Sequence, residues 1–137
     1  VGLILDSSVV IAAERRGHTV RQILEQIEAK HGEIDIAISV VTIAELMHGA
    51  YRAKIDADKL RRLAFIERLS IDVPVHPLTI EIARMVGRIE GQQAAQGISI
   101  GFEDLAIGVT ALQLGFAVAT LNVRHFERIP GLEILPI

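Results

Sequence analysis

The most constraining feature of this chain is a set of short runs rich in Ile, Val, Leu and Ala, separated by longer stretches of helical period. Val1 to Leu5 is such a run, and Asp6, Ser7 and Ser8 end it, as expected of a buried strand feeding a helix. Asp35 to Ser39, Asp72 to Val75, Phe116 to Leu121 and Leu132 to Leu135 read as four more strands. Between them, apolar residues recur at helical spacing over Val9 to Glu14, Thr19 to Lys30, Val41 to Arg52, Asp56 to Leu69, Thr79 to Gln96, Glu103 to Leu114 and Val123 to Ile129. Strands separated by one or two helices cannot pair as hairpins. They make an α/β layout with a short, mainly parallel central sheet, and 137 residues are expected to form one domain over residues 1–137.

Composition narrows the chemistry. With no cysteine, the chain has no disulfide scaffold, thiol nucleophile or cysteine-built zinc site. No apolar run reaches the roughly 18 residues of a membrane span, and the first ten residues lack a leader pattern. The expectation is a soluble, unprocessed protein of the reducing cytoplasm. Fourteen Lys and Arg against 17 Asp and Glu give a net charge of −3, so affinity for a polyanion has to be local. Six of the basic residues lie between Arg52 and Arg68, diluted by Asp56, Asp58 and Glu67, and are expected to form a solvated helix face. A mean hydropathy of +0.41 is high for a small domain and predicts apolar surface covered by another chain.

In open parallel sheets, ligands collect beyond the carboxyl ends of the strands. Asp6 closes the first strand there, and could also cap the helix that follows it. Glu45 lies among apolar neighbours, where an unpaired carboxylate is costly; Thr42 to Glu45 also matches a capping box. Asp104 opens an apolar helix, as a cap or as a functional acid, with Glu103 beside it in a secondary place. Asn122 follows Thr120 and Leu121 at the end of the fourth strand, where turn formation is the structural alternative. If the acids converge, three carboxylates need a cation, and oxygen-only ligands favour Mg²⁺ or Mn²⁺ over zinc. Neutralising one should then leave the fold intact. No phosphate-binding G-x-x-x-x-G-K-[ST], dinucleotide G-x-G-x-x-G or G-x-S-x-G sequence occurs. His18, His31, His48, His76 and His125 are scattered, without metal-ligand spacing and expected at the surface, although His48 lies one helical turn from Glu45.

Four segments carry a resemblance: Leu3-Ile4-Leu5-Asp6-Ser7-Ser8, Thr42-Ile43-Ala44-Glu45-Leu46, Glu103-Asp104-Leu105-Ala106-Ile107 and Ala119-Thr120-Leu121-Asn122 with Phe126. In this order they resemble the PIN-domain pattern over nearly the whole chain, and most closely that of the VapC toxins of toxin–antitoxin pairs, including the closing Ile129-Pro130-Gly131-Leu132. The resemblance implies a PIN-like α/β/α sandwich and a metal-dependent endoribonuclease. Asp6, Glu45 and Asp104 match the three acidic positions that would hold Mg²⁺ or Mn²⁺, and Ser7 matches the small hydroxyl residue after the first of them. Asn122 stands where many relatives have a fourth Asp, so it would contribute to catalysis without holding a second ion by charge. Ser7 and Thr120 would support the acids from behind, and Arg15, Arg16, Arg52 and Arg62 would guide the RNA. The implied partners are RNA, a second copy of the chain, and a VapB-like antitoxin whose segment lies in a helix groove and offers a basic side chain to the acids. Two alternatives stand beside this reading: a PIN-like binding module that has lost catalysis, and another Mg²⁺-dependent phosphoester hydrolase on a similar fold.

Overall fold

A computed structural model describes residues 2–137. Val1, which the sequence assigns to the first strand, lies outside the described residues. Among the described residues the chain forms β1 (Gly2–Leu5), α1 (Ser7–Arg15), α2 (Val20–His31), β2 (Asp35–Ser39), α3 (Val40–Tyr51) and α4 (Asp56–Asp72). It continues with β3 (Val75–His76), α5 (Ile80–Ala94), α6 (Phe102–Leu114), β4 (Ala117–Thr120), α7 (Val123–Phe126) and β5 (Ile134–Pro136). The strands pair in parallel in the order β3-β2-β1-β4-β5, so the expected α/β class is the one observed.

The alternation of side chains along β1 sends Leu3 and Leu5 to one face of the sheet and Ile4 to the other, all at most 2% exposed. On the first face they join Val10, Ile23, Ile27, Leu46, Ile66 and Leu69 from α1 to α4. On the second, Ile4 meets Ile82, Val86 and Ile89 of α5 with Leu105, Ile107 and Val109 of α6. Helices on both faces of a parallel sheet make the three-layer sandwich, and they explain why α6 reads as apolar almost all round: its residues 105–111 are buried. Gly108 marks the closest approach. A Cβ there would stand 2.6 Å from Cδ1 of Ile129, so a side chain at this position would force the Ile129 side chain to move.

Three boundaries differ from the sequence reading. Helix α4 runs on through Asp72, whose carboxylate accepts from Arg68 Nε at 2.8 Å, and the Val73 amide still donates to Leu69 O. The strand expected over Asp72 to Val75 is thereby shortened to Val75–His76. The last strand begins at Ile134 because Leu132 still turns back onto Ile129, and Pro136 is tolerated at the sheet edge. Helix α7 ends at Phe126, short of the expected Ile129. The basic run of α4 is the solvated face expected: Arg61 pairs with Asp58, Arg68 with Asp72, and Lys59 lies 5.1 Å from the ring centre of Tyr51.

Candidate metal centre at the carboxyl edge of the sheet

The chain proceeds outward from β1 in opposite directions, to β2 and β3 on one side and to β4 and β5 on the other. The resulting crevice lies beyond the carboxyl ends of β1 and β4. Asp6 follows β1 directly, its amide donating to Ala119 O of β4 at 2.9 Å, and the residue is 3% exposed. It holds the N-cap position of α1, yet its side chain makes no capping bond. Hydroxyls claim it instead. Ser8 Oγ donates to Oδ2 at 2.7 Å and Thr120 Oγ1 to the same oxygen at 2.8 Å, while Ser7 Oγ lies 3.4 Å from Oδ1. Behind these hydroxyls stand backbone amides. Leu121 N–H donates to Ser8 Oγ and Asn122 N–H to Thr120 Oγ1. The turn after β4 is therefore connected to Asp6 through two hydroxyl relays, each polarised by an amide on one side and a carboxylate on the other.

Glu45 comes from the second turn of α3. The capping-box alternative fails there, because Ser39 ends β2 early enough to cap the helix itself, its Oγ accepting from Val41 N at 3.2 Å. Thr42 consequently sits inside the helix, fully buried, with its hydroxyl unpartnered. Glu45 Oε2 accepts from Ser7 Oγ at 3.1 Å, while Oε1 is buried without a hydrogen-bond partner. Burial raises the proton affinity of this carboxyl, the Ser7 hydrogen bond opposes it, and the charges of Glu103, Asp6 and Asp104 add to it.

Asp104 lies in the first turn of α6, where Gly101 is the N-cap residue and an acid is favoured by the free amides. Its carboxyl is also pushed up by burial, lowered by His125, and raised again by Asp6 and Glu103. His125 Nδ1 stands 3.4 Å from Asp104 Oδ2, an ion pair whenever the imidazole is protonated. His125 is exposed, as its scattered spacing predicts, but its pairing with Asp104 is not visible in the sequence. The signal available was its position three residues after Asn122, on the short helix that this edge carries. Ser8 was also passed over, although an Asp followed by two serines offers two donors to one carboxylate. Asn122 stands at the same edge, exposed, and its side chain makes no capping bond. His48 and Arg52 line a cleft together with Glu45, Phe102 and Glu103.

The sheet edge thus brings Asp6, Glu45 and Asp104 into one another's field, with Ser7 joining the first two. It does not close them into a cage: among the described residues, no three His, Asp or Glu side chains could hold one ion. The donors are hard oxygens, the chemistry that Mg²⁺ or Mn²⁺ takes, and Oε1 of Glu45 is buried without a hydrogen-bond partner.

The model of the PIN domain matches residues 3–132. The chain belongs to the PIN-domain family. Within the PIN domains it is similar to Ribonuclease VapC1 of Rickettsia felis, 34% identical over all of this chain and 97% of that protein. It is also similar to the tRNA(fMet)-specific endonuclease VapC of Salmonella typhimurium, 33% identical over 72% of this chain and 73% of that protein. A crystal structure of DNA-bound VapBC from Salmonella typhimurium superposes with a TM-score of 0.82 at 28% identity, covering 99% of this chain and 98% of that one. The PIN-like sandwich of the sequence reading is thus the fold. As in the sequence reading, no helix among the described residues is long and apolar enough to cross a membrane.

Proposed function

We propose that this chain is a divalent-metal-dependent endoribonuclease and the toxin of a VapBC-type pair. The relatives named as VapC ribonucleases support the activity, and the field shared by three carboxylates supports the metal. The observation that carries the reading is Glu45 Oε1, a buried carboxylate oxygen with no partner beside two further acids. Asp6, Glu45 and Asp104 would hold Mg²⁺ or Mn²⁺. When bound, the ion supplies a water of lowered pKa and neutralises charge on the phosphoryl group under attack.

The protein's own groups do the rest. The hydroxyls of Ser8 and Thr120 fix Asp6 in one rotamer, so one donor is in place before anything binds. Ser7 aims Glu45 toward the same point. Glu45 and Asp104 both hold a proton more readily than an ordinary carboxyl, which suits either to take one from an attacking water, and Glu45 has a free acceptor at Oε1. Asn122 offers a neutral amide at the rim, able to orient a ligand without adding charge. An RNA substrate, a VapB-like antitoxin, a second copy of the chain and a cytoplasmic location belong to the same proposal. Exposed Tyr51 at the end of α3, Ile55 just before α4 and Leu60 on α4 supply apolar surface for a protein partner.

The test is an RNA cleavage assay on the wild type and Asp6→Asn, with Mn²⁺ or with EDTA. Cleavage by the wild type alone, and only with metal, is the expected result. Equal cleavage by both proteins, or cleavage unaffected by EDTA, would remove these acids from the reaction.

A further inference from the structure

Charge is segregated sharply at one groove outside the acid cluster. The groove runs between α1 and α2, and its basic lining consists of Arg16, His18, Lys30 and His31 with no Asp or Glu, in a chain where acids outnumber Lys and Arg. Apolar side chains of both helices form its floor, and exposed Leu121 and Ile137 its mouth. None of these four side chains has an ion-pair partner among the described residues, unlike Arg61 and Arg68 of α4. Completing the helix ends explains part of this, since Lys30 and His31 lie in the last turn of α2. Arg16 is the C-cap residue of α1 and is placed in the same way, whereas His18 lies beyond the helix. The cleft beside Asp104 makes a useful contrast: Arg124 and Arg128 line it, but Asp104 and Glu127 do too, and offset them.

The groove also meets the acid cluster. Leu121 at its mouth donates its amide to Ser8 Oγ, which donates in turn to Asp6. Only three residues separate Arg16 from the start of α2, and Val9 from the first turn of α1 lines the groove together with Lys30 and His31 from the last turn of α2.

We infer that the α1–α2 groove is a subsite for single-stranded RNA, which holds the strand leaving the acid cluster by its phosphates on Lys30 and Arg16 and accepts its bases on the apolar floor. A cationic wall meets the phosphates and an apolar floor meets the base faces, here through aliphatic side chains in place of stacking rings. The inference rests on the ribonuclease proposal for its substrate and extends it by giving the strand a path.

The test measures binding, not cleavage. A short unstructured oligoribonucleotide, labelled at one end, is titrated by fluorescence anisotropy in EDTA against the full chain carrying Asp104→Asn, which removes one repelling charge. Adding Arg16→Gln and Lys30→Gln should weaken binding roughly tenfold and flatten the dependence of log affinity on log salt by about 1.4, the value for two lost single-strand phosphate contacts. Arg16→Lys should retain most of the affinity, and Arg84→Gln on the far helix α5 should change little. Both altered groove positions are exposed, and unchanged circular dichroism verifies the fold. Unchanged affinity and salt slope in the double variant, or no RNA binding at all, would overturn the inference. So would RNA binding that is indifferent to the two substitutions while polyglutamate binding is lost, since the groove would then take an acidic protein segment. Failure of the wild type to cleave RNA with Mn²⁺ would reject the ribonuclease proposal by itself and leave this binding result standing.

Discussion

Asp6 and the pair Glu45 and Asp104 occupy the same sheet edge in opposite states. Asp6 is the most buried of the three, yet its carboxylate is met by hydroxyls backed by main-chain amides. Glu45 and Asp104 are only partly buried, but each is destabilised as an anion, and one oxygen of Glu45 has no partner at all. Burial alone therefore does not decide how much a carboxylate needs a cation. The supply of donors does, and it is unequal because Asp6 is followed by Ser7 and Ser8 and faces Thr120 at the end of β4, whereas Glu45 accepts only from Ser7 and Asp104 faces His125.

The largest effect expected from breaking this comparison is on activity. Asp6→Asn, Glu45→Gln and Asp104→Asn should each lower RNA cleavage by at least about a hundredfold, measured as initial rates at saturating Mn²⁺. Equal loss from all three would show that donor supply matters before the metal arrives and not after.

Apo stability should then separate them. Asp6→Ala strands the hydroxyls of Ser8 and Thr120 and is expected to cost about 2 kcal/mol in urea unfolding. Glu45→Gln should stabilise the metal-free protein, because it removes an anion that burial and three acids disfavour. This extends to Glu45 the expectation that neutralising Asp6 or Asp104 with Asn leaves the fold intact and raises apo stability.

The pH dependence follows the same division. Glu45 and Asp104 bind protons more tightly in the folded chain than in the unfolded one, so the folded state carries more protons in the interval above the ordinary carboxyl range of about 4. Their contribution to stability is complete below that range and is lost as pH rises through their raised values. Metal-free unfolding midpoints should therefore fall between about pH 4 and neutrality, by less in Glu45→Gln. Saturating Mn²⁺ should flatten the profile, since metal replaces the protons.

A smaller effect is expected beneath the site. Thr42 keeps a buried hydroxyl with no partner, and Thr42→Val should stabilise the fold by about 1 kcal/mol in the same urea assay. A loss of stability would mean that the hydroxyl finds a partner in solution.

These asymmetries mark the limit of what the sequence made legible. The strand ends, and with them the edge occupied by Asp6, Asp104 and Asn122, followed from apolar runs closed by polar residues. The assignment of Glu45 to the same edge followed from its apolar neighbours. The hydroxyl relay from Leu121 through Ser8 to Asp6 was not legible, because it joins residues 113 positions apart and depends on the register of β1 with β4. His125 was missed for the same reason: its partner Asp104 is near only after α6 and α7 pack. The capping box at Thr42 was a real local pattern overridden by Ser39, which is held at the strand end by the sheet.

The central claim is that Glu45 and Asp104 await a cation that Asp6 is already arranged to share. Calorimetric titration of Mn²⁺ into the metal-free protein near pH 5, repeated in buffers of different ionisation enthalpy, measures both the ions bound and the protons they displace. The account predicts one ion per free chain with net proton release, weaker binding and less release in Glu45→Gln, and tighter binding in Asn122→Asp, where a fourth carboxylate joins the rim. Metal affinity and proton release that are the same in the wild type and Glu45→Gln would contradict it.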